Sequence, residues 1–406
     1  MKRLIYLALV ITLLLCVLSG CKKTDVWDGS VAESFQSGKG TESKPYTISK
    51  ASQLAYLAKE VNSGNDFSGK YIALTRDIDL NNIEWTPIGN GKHSFNGIFN
   101  GNNHTINHLS ISNTTLHNYE RPGYLSPAGF SGLFGFCKDS EICNLSLSNS
   151  SIHVSNVSEF DTLRVGTLVA QIDSTLNVKI DNIKINSSSI TIDNSKTIDS
   201  RTSMSAMAIG GLIGNLEIDK SGNSCINRVQ CNKISITYGE NYLYDNFIGG
   251  IIGNIINLGN FECCDFSSYL STQASPRHTA NFYFGAFGYT YKADGYINLS
   301  NGFSKLSIAK SDQGKYGEQY KCLTNAIIGS RIGSNEDNEF NFKNLFGYIE
   351  TTENNVTEKS YSLYIVSEKS GKINEKNCVG CESLPKNHGL DPKIWDLSDL
   401  ANPKLK

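Results

Sequence analysis

The chain is poor in proline, methionine and charge. Only 8 of its 406 residues are Pro and 3 are Met, and charged residues make up 19%. Collagen-like chains need far more proline, and coiled coils and charged disordered segments need more charge, so these classes are excluded. Basic residues are not in excess, since Lys and Arg total 37 against 39 acidic residues. The sequence therefore has no basic field for a nucleic acid, and we expect no nucleic-acid partner.

Long apolar runs are also scarce, and the one near the start is short. Lys2-Arg3 precedes an apolar run that ends at Val17, which is too short for a comfortable membrane span. Residues 18–21, Leu-Ser-Gly-Cys, resemble a bacterial lipobox. The pattern predicts a lipoprotein signal peptide over residues 1–20 and a diacylglycerol group on the Cys21 sulfur. An ordinary signal peptide followed by a coincidental cysteine is the alternative.

The predicted lipid group implies a location at a membrane. Lipid chains attach a protein to a membrane without a spanning segment, so the membrane would be a partner through Cys21 alone. Residue 22 is Lys, whereas Asp at this position would imply retention in the inner membrane of many Gram-negative bacteria. We therefore expect a lipoprotein in the outer membrane of a Gram-negative bacterium. Whether it faces the cell surface stays open.

The cysteines lack the sequence context of a metal or redox centre. Of 11 cysteines, Cys16 would leave with the signal peptide and Cys21 would carry lipid, which leaves an odd number. Cys378-Val-Gly-Cys381 is a lone CxxC motif. It lacks both the βαβ context of a redox motif and the second ligand pair of a zinc site. A local disulfide or two structural thiols are expected, and no cofactor or metal is predicted.

The strongest signal is an internal repeat. An apolar-x-x-apolar-x-apolar pattern recurs along the chain, and a glycine element precedes most copies by ten to fifteen residues. The apolar copies begin at Ile106, Ile142, Ile180, Ile226 and Phe261. The clearest glycine elements are Gly132-Leu-Phe-Gly135, Gly211-Leu-Ile-Gly214 and Gly250-Ile-Ile-Gly253. A third short apolar piece follows most copies.

Each repeat reads as three short strands joined by turns. No helical pattern separates the strands, so a βαβ sheet is excluded. When such repeats stack, each strand pairs with its counterpart in the next copy, which makes a parallel β-solenoid. Recurring Asn at the turns tolerates the left-handed conformation and can stack its amide on the next repeat. An antiparallel sandwich is the alternative, but the fixed order of elements favours the solenoid.

The ends of a solenoid need cover. Ser49 or Ser52 could cap a helix that places Leu54, Leu57 and Val61 on one face, and this helix would be the N-terminal cap. We expect the last residues to cover the other end, with Trp395 as an apolar anchor. The predicted organisation is signal peptide 1–20, lipidated tether 21–40, N-terminal cap and first rung 41–94, repeats 95–350 and C-terminal cap 351–406.

The glycine elements resemble the GLUG motif, Gly-Leu-apolar-Gly, of a family of exported bacterial proteins. Asp77-Ile-Asp-Leu80 and Trp85-x-Pro87-Ile88-Gly89 resemble the opening of that family, and the resemblance covers about residues 27–350. It implies an all-β, right-handed parallel β-helix with a short N-terminal capping helix on a cell-surface or secreted protein. It brings no catalytic residues. Some relatives attach such repeats to peptidases, but this chain has no HExxH motif.

No catalytic constellation stands out, so we expect a protein that is not an enzyme. Asp77 and Asp79 share a strand face and could do acid–base chemistry, yet both lie in the ordinary strand motif of the family. Four early histidines could hold zinc, although solvated turn histidines are favoured; they are His93, His104, His108 and His117. A polysaccharide lyase or hydrolase of the β-helix class is the alternative function. A cleft with carboxylates on neighbouring strands would support it.

The loops after each third strand are better candidates for function. All join the same two strand positions, so they should emerge along one edge. Their tyrosines offer flat apolar area with a polar tip, which suits sugar rings or protein contacts, although packing within the loops is an alternative. The candidate ligand-binding residues are Tyr119, Tyr124, Tyr238, Tyr242 and Tyr244. We expect a non-catalytic, membrane-anchored lipoprotein for adhesion or for glycan or protein binding.

Overall fold

The computed structural model describes the chain from residue 26 to residue 406, with gaps. The described ranges are 26–112, 116–121, 124–155, 162–193, 206–238, 245–274, 281–292, 295–310, 322–332, 339–353, 355–366 and 372–406. The predicted signal peptide and Cys21 lie outside them. Within these ranges, no helix has the length and apolar character needed to cross a membrane.

Strands dominate the described residues and are numbered in chain order. The first are β1 (Tyr46–Ile48), β2 (Tyr71–Leu74), β3 (Ile78–Asp79), β4 (Ile98–Asn107), β5 (Ser110–Ile111), β6 (Leu116–Arg121), β7 (Tyr124–Ser131), β8 (Phe134–Lys138) and β9 (Glu141–Val154). The next are β10 (Thr162–Gly166), β11 (Val169–Ser174), β12 (Asn177–Ile192), β13 (Ala206–Gly210), β14 (Ile213–Ile218), β15 (Asn223–Tyr238), β16 (Asp245–Asn257), β17 (Asn260–Ala274), β18 (Asn281–Lys292) and β19 (Tyr296–Lys310). The last are β20 (Cys322–Thr324), β21 (Arg331–Ile332), β22 (Glu339–Glu353), β23 (Val356–Ser360), β24 (Ile365–Val366), β25 (Lys372–Lys376), β26 (Val379–Gly380), β27 (Trp395–Asp396) and β28 (Lys404–Leu405).

Two large sheets form a mostly β, nearly closed and largely parallel arrangement. The longer sheet follows the order β1-β2-β4-β9-β12-β15-β17-β19-β22-β23, and the shorter sheet includes β7, β8, β10, β11, β13, β14, β16, β18 and β20. In the repeat region the chain passes from the shorter sheet to the longer sheet and back. Inward side chains of both sheets, such as Val165 and Ile180, belong to one buried core. The predicted all-β class and parallel pairing are therefore confirmed.

The repeat register agrees with the sequence pattern in the middle of the chain only. Ile180 pairs with both Ile142 and Ile226, as the repeat predicts. The copy at Phe261 is wrong by two residues, because Ile226 pairs with Cys263. The copy at Ile106 is also wrong, because Ile106 pairs with Leu147 after an irregularity in β4. The two-residue shift at Phe261 keeps every side chain on the same face of the strand, so the apolar pattern cannot detect it. At Ile106 the difference is five residues, from Ile142 to Leu147, and the partner of Ile142 is Phe99.

A ladder of left-handed residues bends the strands of the longer sheet. Asn144 and Asn182 have φ of 53° and 55° and occupy equivalent positions on β9 and β12. The Asn182 amide donates to Asn144 Oδ1 at 2.8 Å. Asn adopts this conformation more readily than most residues, which explains its recurrence at the bend. The sequence pattern placed the turn Asn at 113, 149 and 186 instead. Of these, Asn149 has φ of 54°, Asn186 has no positive φ, and Asn113 lies outside the described residues.

The shorter sheet bends sharply at the glycine elements. β13 ends at Gly210 and β14 begins at Ile213, so two residues separate the two arms of the sheet. A Cβ atom on Gly210 would lie 1.8 Å from the Ile213 carbonyl oxygen, which no side chain can accept. Glycine is therefore required by close backbone approach at this bend.

One short helix, α1 (Ala51–Asn62), lies between β1 and β2. Its buried face includes Leu54, Leu57 and Val61, and these join the common core as the apolar spacing predicts. The expected cap at Ser49 or Ser52 is wrong, because the N-cap residue is Lys50. The Gln53 side chain reaches back instead, and its Oε1 accepts the Lys50 amide at 3.2 Å. A side-chain acceptor from within the first turn thus satisfies an otherwise free donor.

Residues 381–406, the C-terminal segment, cover part of the outward face of the longer sheet. Trp395 is fully buried in a cluster with Phe303 and Phe346, separate from the common core. The Trp395 indole donates to Asp265 Oδ1 at 3.2 Å, and the Tyr269 hydroxyl donates to the Pro403 carbonyl at 2.8 Å. Trp395 is therefore an apolar anchor, but it holds the segment to the face of the sheet rather than to its end.

Candidate functional site

The outward face of the shorter sheet carries two rows of register-equivalent side chains. Arg164 points outward because its neighbours Leu163 and Val165 point into the common core. The first row consists of Phe130, Arg164, Ala208, Phe247 and Tyr283. The second row consists of Phe136, Gln171, Asn215, Asn254 and Tyr289. The rows lie on opposite arms of the glycine bend, so they face each other across a concave groove, which we call the groove.

Aromatic pairs stand at both ends of the groove. At one end, the rings of Phe130 and Phe136 stack with centroids 6.2 Å apart. At the other end there are three rings: the ring centroid of Phe247 lies 4.6 Å from that of Tyr289 and 5.4 Å from that of Tyr283. Each end thus joins the two arms by ring contacts, which add to the apolar burial.

Between the aromatic ends, an amide ladder crosses the floor of the groove. Asn254 Nδ2 donates to Asn215 Oδ1 at 2.6 Å, and Asn215 Nδ2 donates to Gln171 Oε1 at 2.8 Å. Asn215 Nδ2 also donates to Glu217 Oε1 at 2.9 Å. Gln171, Asn215 and Asn254 are 0%, 2% and 8% exposed. Burial of amides is costly unless they are paired, so this ladder is a built feature of the fold.

Charged groups border the ladder. Arg164 is 8% exposed, and its Nη2 lies 3.7 Å from Glu217 Oε1 and its guanidinium 5.6 Å from the Phe130 ring centre. Asp173 and Glu217 are register partners on β11 and β14. Gln171 Nε2 donates to Asp173 Oδ1 at 2.5 Å. Nearly buried charges are uncommon unless they are paired, and they often mark functional sites.

The tyrosines of the groove are held neutral. Burial, with a contribution from the Asp245 carboxylate, raises the pKa of Tyr283 to about 12. The same two causes raise the pKa of Tyr289. Both hydroxyls therefore stay protonated at physiological pH and can donate a hydrogen bond.

A cavity of about 370 Å³ lies between the two arms. Its lining includes Ala208, Asn254, Tyr289 and Tyr291, and the Tyr291 side chain is 45% exposed. The small Ala208 leaves space opposite the amide ladder where other repeats place an aromatic ring. The volume is at the lower end of the range for small-molecule sites, roughly 300–1,000 Å³.

The sequence carried a signal for these residues that our loop hypothesis missed. The first-row residue stands two positions before a glycine, as Arg164 does before Gly166 and Phe247 before Gly249. Several second-row residues directly follow the second motif glycine, as Asn215 and Asn254 do. Alignment of the glycine elements by themselves would have brought both rows together.

The predicted loop tyrosines are placed differently from one another. Tyr238 is 3% exposed, and its ring stacks on Phe282 at 5.5 Å, so it belongs to the core rather than to a ligand surface. Tyr119 and Tyr124 lie in β6 and β7, an antiparallel pair at the edge of the shorter sheet. Tyr242 and Tyr244 lie outside the described residues. A role for these last four stays a prediction.

The acidic and histidine candidates form separate pairs. His104 Nδ1 lies 3.0 Å from Asp77 Oδ1, and His108 Nδ1 lies 2.8 Å from Asp79 Oδ1. Asp77 also accepts the backbone amide of Thr105 at 3.0 Å. These contacts support a structural role for both carboxylates. Within the described ranges, no group of three His, Cys, Asp or Glu side chains is arranged to hold a metal ion.

The two cysteines of the CxxC motif pack on different sides of the short strand between them. Cys378 packs against the common core, whereas Cys381 packs against the cluster beneath the C-terminal segment. Both thiols are free, and burial raises the pKa of each. Cys378 and Cys381 flank β26 and pack against different clusters, so the structure has the second of the two expected arrangements, two separate thiols.

A second cavity, of about 720 Å³, lies where the C-terminal segment meets the longer sheet. Its lining includes Lys233, Tyr269, Lys305, Asp399 and Lys404. Lys305 is paired with Glu350 at 2.9 Å, and the remaining lining is largely Ser and Asn. This cavity is larger than that of the groove but lacks a buried polar ladder.

Comparisons with known proteins identify a fold relative and no family. No family model and no curated protein matches the chain. Among solved structures, the chain is similar to a Bacteroides ovatus protein named as a candidate immunoglobulin A1 protease. The TM-score is 0.56 at 18% sequence identity, and the match covers 92% of this chain and 95% of the other. At this identity, the likeness shows that the two chains share a fold.

Proposed function

We propose that this chain is an exported bacterial lipoprotein that binds a glycan or a protein without catalysis. In this proposal, its folded part is a right-handed parallel β-helix of GLUG type with α1 as the N-terminal cap. Cys21 carries the lipid anchor, with the outer membrane as its address. The parallel pairing of Ile142, Ile180 and Ile226 supports the β-helix fold, and the lipobox supports the lipid anchor.

One observation carries the binding function: the groove joins aromatic ends to a buried amide ladder. Aromatic rings supply apolar area, and the amides supply directional hydrogen bonds. A concave site lined by apolar rings and a few placed polar groups is the usual form of a ligand site. The cavity beside Asn254 and Tyr291 gives such a ligand a place to sit.

Binding can be tested with the full-length protein in mild detergent. Arrays of glycans and of extracellular and surface proteins would be probed with it, and retained ligands measured by calorimetry. We expect saturable binding of at least one glycan or protein. A protein that binds nothing in either array would contradict the proposed function.

Anchoring can be tested separately with Cys21→Ser. The variant lacks the sulfur that accepts lipid, and lipid chains contribute roughly 0.8 kcal/mol per buried CH₂. We expect a palmitate analogue to label the native protein and not the variant. Labelling of the variant, or a cleaved variant that remains with membranes, would refute the anchor.

A second candidate function is cleavage of a polysaccharide. The neighbouring carboxylates Asp173 and Glu217 favour it, because two carboxylates beside a groove can serve as acid and base. Incubation with polysaccharides would release new reducing ends, and Asp173→Asn and Glu217→Gln would each abolish the release. Wild-type protein that yields no product would remove this candidate. Peptide cleavage is not proposed, since the sequence has no HExxH motif and the named relative shares fold alone.

A further inference from the structure

We propose that the cavity of the groove binds an uncharged, hydroxyl-rich saccharide. Asn254 Oδ1 accepts a hydrogen bond from a sugar hydroxyl, and the rings of Tyr289 and Tyr291 cover an apolar sugar face. This inference rests on the proposed binding function and adds to it the position of the site and the chemical class of its ligand.

The first step is the unmet acceptor on Asn254. Glu217 is a carboxylate and accepts the Asn215 amide hydrogen, so the Asn215 Nδ2 must face Glu217 and its Oδ1 must face Asn254. This fixes the Asn254 Nδ2 toward Asn215. Asn254 Oδ1 is then left without a donor within the described ranges, although the residue is only 8% exposed. A buried acceptor without a donor costs roughly 1–3 kcal/mol, and a ligand hydroxyl would recover it.

The second step is the sign of the surrounding charge. Asp173, Glu217 and Asp245 border the groove, and Asp245 acts on both Tyr283 and Tyr289. Of the three carboxylates, Glu217 pairs with Arg164, whose Nη2 lies 3.7 Å from Glu217 Oε1. A uronic acid or sulfated sugar would bring further negative charge to this site. An uncharged ligand that donates hydrogen bonds fits better.

The third step is the aromatic wall beside the acceptor. Tyr289 is the register partner of Asn254, and Tyr291 lies two residues further along the same strand. Both line the cavity, and Tyr291 keeps 45% of its surface exposed. A ring with one free face next to a hydrogen-bond acceptor matches the alternating apolar and hydroxyl surfaces of a sugar.

The decisive comparison uses two exposed tyrosines. Tyr291 is 45% exposed in the groove, and Tyr361 is 46% exposed outside it, so Tyr361→Ala is a matched control for Tyr291→Ala. Affinities of full-length variants for neutral oligosaccharides would be measured by calorimetry, with uronic-acid oligosaccharides alongside. We expect Tyr291→Ala to weaken neutral binding by about two- to twelvefold, since a ring contact contributes roughly 0.5–1.5 kcal/mol. Tyr361→Ala should stay within about twofold of wild type.

Asn254→Ala tests the hydrogen-bond acceptor of the proposed site separately from its aromatic wall. It removes the acceptor and should weaken neutral binding by about tenfold or more, given roughly 1.5 kcal/mol for the lost hydrogen bond. A melting curve checks that this buried variant folds. If it does not, Tyr291→Ala decides alone, because Tyr291 is 45% exposed and its removal leaves the core intact.

The outcomes separate this inference from the proposed function. Equal effects of Tyr291→Ala and Tyr361→Ala, or tighter binding of uronic-acid sugars than of neutral ones, would overturn the inference and leave the function standing. Protein binding without neutral-sugar binding would do the same. Absence of every ligand would overturn both.

Discussion

The two sheets share one interior but present different outward faces. On the longer sheet, outward Asn side chains pair with equivalent Asn on neighbouring strands, and the C-terminal segment covers part of the face. On the shorter sheet, the amide ladder ends at Asn254 with an unmet acceptor beside a cavity. If the groove binds a ligand, as we propose, one repeat serves structure on one face and binding on the other. The difference lies in whether the polar ladder is completed by the chain itself.

The largest expected effect comes from uncovering the longer sheet. Trp395→Ala removes a fully buried ring and the donor to Asp265, so we expect a loss of about 3–5 kcal/mol in the free energy of unfolding. Urea unfolding would measure it, with the partly buried Leu397→Ala as control. Saccharide binding in the groove should be unchanged in the folded variant. A loss no larger than that of Leu397→Ala would mean that the segment does not depend on Trp395.

Alkaline pH probes the shared interior. Burial raises the pKa of Cys137, Cys231 and Cys263, and it raises that of Cys143 to about 11. Folded-state values above the unfolded value mean that stability is full below about pH 8.5 and falls as pH rises toward the folded values. We expect a loss on the order of 2 kcal/mol per fully buried thiol near pH ~10.

The control for this pH effect is Cys231→Ala, which removes one buried thiol. Urea unfolding between pH ~8 and pH ~10 should give a shallower fall for the variant than for wild type. Parallel curves for the two proteins would show that Cys231 does not contribute.

The Asn ladder of the longer sheet should matter less. Asn182 has φ of 55° and donates to Asn144 and Asn103 at 2.8 and 3.2 Å. Both Asn182→Gly and Asn182→Ala lose these hydrogen bonds, at about 1 kcal/mol, but only Gly removes the Cβ from the left-handed region, so we expect the Ala variant to be less stable than the Gly variant by about 1–2 kcal/mol. Thermal unfolding would rank the two. If Gly destabilises as much as Ala, backbone conformation is not what selects Asn here.

The smallest effect is expected where Arg interrupts that ladder. Arg228 has φ of 50°, and its Nε lies 2.9 Å from Asp181 Oδ1 with 44% of the side chain exposed. Exposed ion pairs contribute about 0–1 kcal/mol, and Asn suits this backbone conformation better. Arg228→Asn should thus stay within about 0.5 kcal/mol of wild type and lose salt dependence. A loss above about 2 kcal/mol would make the ion pair a structural requirement.

Much of the fold was readable because its determinants are local. The spacing of Ile142, Leu145 and Leu147 and the paired glycines predict short strands with sharp bends. The glycine bends are present, but the second and third predicted strands are continuous in β9, which is 14 residues long. Register is not local. Phe261 and Cys263 both point inward, so either could have started the repeat. Only pairing with Ile226 distinguishes them.

The candidate site was harder to predict, because its residues meet only after register is known. Gln171, Asn215 and Asn254 lie about forty residues apart and join through pairing of β11, β14 and β16. Tyr238 could have been assigned correctly, since Ile234, Ile236 and Tyr238 alternate along β15 and all point inward. Tyrosine content favours the loops as a binding surface, but the alternation of apolar residues along β15 predicts the orientation of Tyr238 more reliably.

Hydrogen exchange with a bound ligand tests most directly whether the shorter sheet is the binding face. The full-length protein would be compared with and without the oligosaccharide or protein that it binds best. We predict protection within Ala206–Gly210, Asp245–Asn257 and Asn281–Lys292, which line the groove. Protection confined to the longer sheet and the C-terminal segment, around Tyr269 and Lys404, would place binding in the second cavity and contradict the account.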